Sequence, residues 1–271
     1  MQKYLAIINN KTAFILLLCL VITWLCFEFN FNYNLNITLF SIAVIFPLVF
    51  TIRESFRRRD NLIKLLSIFK TSLSSIYYCF DDNLKLSDNT KQEVAEKLQE
   101  ISSLFLSSLS GQNYDSAAVN IKMTGIYHLI QQHRESISSS TSQKIIRFLK
   151  DVHESMENAM GLKMHGTPIS LRAYCLVFIY VFPVIFVPTL VFDMHENPHW
   201  IVYLLSCLHG FILISLFNVQ DDMEDPFDQI GLDDIKMDTF EFRRAPELQK
   251  AAFADAIEPK VQELPEKLAG Q

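Results

Sequence analysis

Four long apolar runs separate the polar stretches of this 271-residue chain. They contain no charged residue and cover Thr12–Phe27, Asn34–Ile52, Ala173–Phe192 and Asn197–Gln220. Each run approaches or exceeds the ~20 residues that an α-helix needs to cross the hydrocarbon core of a bilayer. We therefore predict four membrane-spanning helices. A signal peptide is the alternative for the first run, and we reject it because Glu28 and several asparagines follow in place of a small-residue cleavage site.

The region between the second and third runs has a helical pattern. One helical face is marked by Leu62, Leu65, Leu66, Phe69, Leu73, Ile76, Tyr77 and Phe80. Neither Gly nor Pro occurs between Leu48 and Ser110, so the second span should continue as one helix until Asp81-Asp-Asn83.

Three further helices follow from the same periodicity. Thr90 and Glu93 resemble a capping box at the start of the first of them, which should stop at Gly111. The next should run from about Tyr114 to Ile137, and the last from the loop Ser138–Ser142 to Gly161. Period-two alternation is absent, so the chain is predicted to be all-α, with four spans and a cytoplasmic helical bundle. The polar tail after Asp238, with Pro246, Pro259 and Pro265, is expected to be a loosely held or peripheral extension.

Basic residues are distributed unevenly around the four runs. Lys and Arg precede the first run, follow the second and precede the third, whereas the loops at 28–36 and 193–199 contain none. By the positive-inside rule both termini and the middle region are cytoplasmic, in a multi-pass protein of a cell membrane, expected to be a bacterial inner membrane. This divides the chain into spans 1 and 2 with the N-terminal segment (1–53), a cytoplasmic region (54–169), spans 3 and 4 (170–220) and a cytoplasmic exit and tail (221–271).

Composition supports a membrane protein and excludes several other classes. Half of the residues are hydrophobic although 20% are charged, and Phe occurs 22 times. The net charge is −6 and no basic tract suggests nucleic-acid binding. The five cysteines have no paired spacing, so neither a disulfide framework nor a zinc site is predicted.

The sequence around each candidate catalytic motif argues against a catalytic role. His195-Glu-Asn-Pro-His199 has the spacing of zinc peptidases, but that chemistry needs both histidines on one helical face, and Pro198 disfavours a helix there. His209, inside the fourth run, is either a functional residue or a histidine that bonds a neighbouring carbonyl. No other set of catalytic residues stands out, so we predict no enzyme activity, no metal and no cofactor.

A stripe in the second run suggests a pore. Ile42, Phe46 and Phe50 recur every four residues, so they lie along one side of a helix, and the charged run Arg53–Asp60 follows directly. In a symmetric oligomer such a stripe forms stacked apolar rings, which can gate ions by dewetting. Contact with lipid or with another helix is the alternative. Pro183 and Pro188 inside the third run suit either a pore or a tightly packed bundle.

At three places the chain resembles the bestrophin family, close to its bacterial members. The stripe followed by Ser55-Phe-Arg-Arg-Arg59 resembles the second span of bestrophins. Gly166-Thr-Pro-Ile169 is similar to the proline-containing entry into their third span. Glu224-Asp-Pro-Phe227 and Leu232–Asp238 resemble the exit from their fourth span.

This resemblance implies a homopentameric channel for chloride or other small anions, embedded in a lipid bilayer. Ile42, Phe46 and Phe50 would form the pore neck. Arg57, Arg58 and Arg59 would draw anions to the cytoplasmic mouth. A second constriction would lie at Ser138, Ser139, Ser140, Thr141 and Ser142.

The acidic calcium loop of animal members is not reproduced, so we expect no calcium gating. The alternative is a non-conducting four-span adaptor whose cytoplasmic helices bind a partner.

Overall fold

The structure, a computed structural model, describes residues 8–111, 116–228 and 234–244, apart from the side chains of 116–118. It contains seven α-helices in these residues: α1 Asn10–Glu28, α2 Ile37–Asp81, α3 Asp88–Ser110, α4 Ser116–Gln132, α5 Ser139–Met164, α6 Ile169–Asp193 and α7 His199–Asp222. A 3₁₀-helix covers Met237–Phe240. The described residues include no strand, and the all-α prediction is confirmed.

The chain forms two compact units. Of the described residues, the first unit takes 8–64, 159–228 and 234–235, and the second takes 65–111, 116–158 and 236–244. Within the part of the chain that the structure describes, four stretches of helix are long and apolar enough to cross a membrane, and each overlaps one of the four predicted runs. The prediction that the second span continues as one long helix is confirmed, because α2 is unbroken from Ile37 to Asp81.

In the first unit, α1, α6 and α7 pack against one another. Their shared core, with part of α2, consists of Ile15, Cys19, Val44, Leu48, Cys175, Ile179, Phe182, Leu213, Ile214 and Phe217. Helix α7 approaches α1 at Gly210, where an added Cβ would lie 2.6 Å from Cys19 Sγ. Small residues at such a crossing allow close contact between membrane helices, where lipid removes the usual hydrophobic drive for association.

Prolines inside the spans leave backbone carbonyls without their helical donors, and tyrosines meet two of the affected turns. Pro47 cannot donate to the carbonyl of Ala43, which lies 3.4 Å from the Tyr174 hydroxyl. In the turn preceding Pro188, the Tyr33 hydroxyl donates to the carbonyl of Ile185 at 3.1 Å. The Tyr174 hydroxyl thus offers a partner to a carbonyl that would be costly to leave unpaired in lipid. The carbonyl that Pro188 deprives of its donor is that of Val184, so the Tyr33 bond ties the α1–α2 loop to α6 and does not replace a lost helical bond.

The second unit has a core built from the predicted helical faces. The α2 positions Leu66, Phe69, Leu73, Ile76 and Phe80 are almost fully buried, as are Val94, Leu98, Ile101 and Phe105 of α3. The rings of Phe69 and Phe105 lie 4.7 Å apart between their centroids. The amphipathic pattern of these helices therefore predicted their buried faces.

Several predicted helix ends were wrong. The cap of α3 is Ser87, which accepts a hydrogen bond from Thr90 N at 3.3 Å, because a serine three residues before the N3 amide fits the cap geometry. The predicted loop Ser138–Ser142 belongs mostly to the first turn of α5, and that helix continues past Gly161 to Met164. Helix α4 ends at Gln132 instead of Ile137. Tyr114, its predicted start, lies outside the described residues.

The expectation of a loosely held tail was wrong for its first residues. Phe242 is 2% exposed, and its backbone N–H donates to the Ser102 hydroxyl at 2.9 Å. Lys70 donates to the carbonyl of Thr239 at 2.7 Å. A single buried aromatic anchors an otherwise polar segment in the second unit, which average composition could not indicate. The tail from residue 245 onward lies outside the described residues.

Candidate functional site

The predicted neck residues share an exposed face of α2. Ile42, Phe46 and Phe50 are 46%, 55% and 59% exposed, whereas Val44 and Leu48 are 2% and 1% exposed. The helix therefore has one side packed in the core of the first unit and one apolar side that the described residues leave uncovered. Soluble proteins rarely leave such a face open, and a face of this kind is typical of contact with lipid or with another protein chain.

The two phenylalanines of this stripe are neighbours along the helix. Their ring centroids lie 6.2 Å apart, which corresponds to one helical turn. Below them, Thr51 and Ser55 are fully buried, and their hydroxyls donate to the backbone carbonyls of Leu48 and Thr51. The exposed stripe thus remains purely apolar over its whole length.

The three predicted mouth arginines have different surroundings. Arg57 is exposed and pairs with Glu54 at 2.8 Å, one turn earlier on α2. Arg59 is half-buried. Arg58 points into the first unit, and only 8% of its side chain is exposed. The carboxylate of Glu54 offsets part of the charge that Arg57 would present to an ion.

Arg58 belongs to a buried polar network that the sequence did not reveal. Its Nη1 donates to Glu224 Oε1 at 2.9 Å, and its Nη2 donates to the carbonyl of Leu162 at 2.9 Å. The backbone N–H of Thr167 also donates to Glu224 Oε1, at 2.6 Å, and the Thr167 hydroxyl donates to Oε2 at 2.9 Å. A Cβ at Gly166 would collide with the Glu224 carboxylate. The network joins α2 to the segment after α7.

A second ionic cluster lies at the end of α7. Asp221 accepts from Lys11 Nζ at 2.7 Å and from Arg172 Nη2, so it ties α7 to both α1 and α6. The Lys11 ammonium also lies 5.2 Å from the centroid of the Phe217 ring, within the range of a cation–π contact. The sequence showed an acidic exit after the fourth span, but it could not show that basic residues of other helices reach it.

The predicted second constriction is a helix start in the second unit. The hydroxyls of Ser138 and Thr141 lie 2.9 Å apart, and Ser138 accepts from Thr141 N at 3.1 Å. Ser139 and Ser140 are exposed, and Ser142 is half-buried. Whether these hydroxyls line an ion path stays a prediction.

The histidines occupy separate environments. His195 lies in a turn and its Nδ1 is 3.1 Å from the carbonyl O of Phe192, whereas His199 begins α7 after the cap residue Pro198. The two histidines therefore do not share a helix. His209 Nδ1 lies 3.0 Å from the carbonyl O of Leu205, and its ring contacts Phe186. Within the residues that the structure describes, no group of three His, Cys, Asp or Glu is placed to hold a metal.

The sequence matches no protein-family model and no curated protein. The fold, however, is similar to solved structures. Two crystal structures of single-residue variants of a bacterial bestrophin homolog from Klebsiella pneumoniae match with TM-scores of 0.73 and 0.72, each at 16% identity. Both matches cover 85% of this chain, and they cover 93% and 95% of the homolog.

A crystal structure described only as a membrane protein variant matches with a TM-score of 0.72 and 16% identity. That match covers 86% of this chain and 95% of the other. At this identity the likeness concerns the fold, and it extends over nearly the whole length of each matched chain. The protein is therefore a four-span helical protein with a bestrophin-like fold.

Proposed function

We propose that this protein is an ion channel, assembled from five copies of the chain, that conducts chloride or other small anions. The observation that carries the proposal is the exposed stripe of Ile42, Phe46 and Phe50 on a helix whose opposite face is buried. Similarity to the fold of bacterial bestrophin homologs supports the same assignment.

Five copies around one axis would turn the stripe into three stacked apolar rings. Four residues of α-helix rise about 6 Å, so the rings would extend over about 12 Å. Such a neck offers an ion no polar partner, and it controls passage through the cost of wetting a narrow apolar space. Conduction would then depend on the diameter left between the phenylalanines.

The preference for anions would arise at the cytoplasmic mouth. Arg57 and Arg59, repeated around the axis, would raise the local anion concentration. Arg58 is left out of this mouth because its guanidinium is buried against Glu224. The pairing of Arg57 with Glu54 weakens the electrostatic field that an anion would meet. Because Arg57 is exposed, added salt should screen this field and reduce the preference for anions.

The second constriction would lie at residues 138–142, where hydroxyl groups would contact a passing ion. Both termini and the second unit would face the cytoplasm, as the distribution of Lys and Arg predicts. We place the protein in a cell membrane, expected to be a bacterial inner membrane. Its partners would be other copies of itself, lipid and small inorganic ions.

Two measurements test the proposal on the purified full-length protein. The mass of the detergent-solubilised particle, corrected for bound detergent, should correspond to five chains. In a planar bilayer with a chloride gradient, the reversal potential should move toward the chloride equilibrium potential. A monomer or dimer without conductance would contradict the proposal and favour the four-span adaptor. Conductance that follows the cation gradient would preserve the channel and overturn its anion selectivity.

A further inference from the structure

An apolar groove lies on the first unit between the end of α1 and the proline-containing part of α6. It has a volume of about 340 Å³, and its apolar walls include Ile22, Leu25, Phe29, Phe31, Val184 and Pro188. We infer that this groove binds one acyl chain of a phospholipid from the leaflet that the α1–α2 loop faces. The inference requires that α1 and α6 span a bilayer, and it does not depend on ion conduction.

The local backbone explains why a groove forms here. Asn30 has a φ of 50°, in the left-handed region, and the N–H of Phe31 donates to the carbonyl of Cys26 at 2.9 Å. This bond reverses the chain at the end of α1, as in a Schellman motif, and sets Phe31 beside the last turn of the helix. The Tyr33 hydroxyl then reaches the carbonyl of Ile185 on α6 at 3.1 Å, so the loop bridges the two helices at the groove.

The groove walls favour an apolar chain over water or a polar ligand. Phe29, Phe31 and Val184 are 72%, 57% and 50% exposed, so large apolar side chains face outward around the groove. Water would find almost no hydrogen-bonding partner there. An empty groove beside lipid would lose van der Waals contacts, and a flexible acyl chain can follow its irregular shape.

The loop at the groove supplies groups that suit a lipid headgroup without net charge. Four exposed asparagines alternate with apolar or aromatic residues over Phe29–Asn36. Amide groups can donate to phosphate and ester oxygens and can also accept hydrogen bonds. Residues 29–36 contain no charged side chain, so this segment provides no cationic clamp for an anionic lipid. We therefore assign a zwitterionic phospholipid, with the aromatic residues at the level of the headgroups.

Photolabelling in a membrane tests the assignment on the full-length protein. The protein is reconstituted in phosphatidylcholine vesicles that contain a phosphatidylcholine with a diazirine on one acyl chain, and labelled peptides are mapped by mass spectrometry. In the unmodified protein, labels should concentrate at residues 22–31 and 184–188. Val184→Trp, which fills the groove, should abolish most of this labelling.

A matched control is available on the same helix. Val177 is 56% exposed and lies two turns before Val184 without lining the groove. Val177→Trp should keep the label in the groove. Even labelling of all exposed apolar positions on α1, α6 and α7 would overturn the inference and indicate ordinary annular lipid. Absence of label in the groove, combined with crosslinks between chains at Leu25 or Phe29, would also overturn it, because a second copy would then occupy the site.

Discussion

At the scale of single residues, Arg58 shows how this fold holds a charge away from water. Its side chain and that of Glu224 are 8% and 15% exposed, and further hydrogen bonds from Thr167 and to the Leu162 carbonyl extend the network. A buried ion pair is strongly destabilised when one partner is removed, because the other charge remains without compensation. We infer that this network anchors α2 about two turns beyond the exposed stripe.

Arg58→Met should lower the free energy of unfolding by about 3–5 kcal/mol, because it leaves the Glu224 carboxylate buried without a cation. The measurement is chemical or thermal unfolding of the protein in detergent. Arg57→Met is the matched control: its pair with Glu54 is exposed, and its loss should cost less than about 1 kcal/mol. If the two variants lowered the free energy of unfolding equally, the buried Arg58 network would stabilise the protein no more than the exposed Arg57–Glu54 pair does.

At the scale of elements, α1 and α7 meet through small residues. A Cβ on Gly210 would lie 2.6 Å from Cys19 Sγ and 3.0 Å from Ile15 Cγ2. Gly210→Ala should therefore separate the helices and cost about 1–3 kcal/mol of stability, as overpacking does. Removal of the sulfur by Cys19→Ala in the same chain should recover part of this loss.

Gly161 provides the control for that experiment. It also lies in a helix, but a Cβ at this position would have no neighbour within 4 Å. Gly161→Ala should keep or raise the melting temperature, since alanine favours helix over glycine by about 1 kcal/mol. If Gly210→Ala lowered the melting temperature no more than Gly161→Ala does, the close crossing of α1 and α7 would not be important for stability.

A second prediction at this scale concerns the segment around Phe242, which follows the fourth span. Phe242→Ala should open a cavity in the second unit and cost about 3–5 kcal/mol. It should also release the segment around Thr239, which limited proteolysis would detect as faster cleavage near residue 240. Tyr78→Ala, at a position that is 57% exposed, should leave that cleavage rate unchanged. Unaltered proteolysis of the Phe242 variant would contradict the anchoring role.

At the scale of the whole molecule, the proposed function requires an assembly of several chains. Phe50→Ala should widen the neck and raise the leak current in a planar bilayer, because a smaller ring lowers the cost of wetting. Phe14→Ala on α1 is a control of the same type, since Phe14 is 54% exposed and is not assigned to the neck. Unchanged conductance of the Phe50 variant would count against the neck assignment.

Much of the fold could be predicted because the signals are local. Runs of uncharged residues predicted the four spans. The spacing of apolar residues from Leu66 to Phe80 predicted the buried face of α2 in the second unit. Helix ends were less predictable: Ser87 and Thr90 are both common capping residues, and the choice between them depends on the geometry of one turn. The polar composition around Phe242 concealed a buried anchor, since one aromatic side chain hardly changes an average.

Local sequence patterns are enough to identify the helical and apolar segments, because helix periodicity and the length of a membrane span are properties of a few neighbouring turns. They also place Ile42, Phe46 and Phe50 on one side of α2. The packing of distant helices determines that the described residues leave this side open and that Arg58 is buried. Arg58 and Glu224 are 166 positions apart, and such a pair depends on how distant helices pack, which no local pattern encodes.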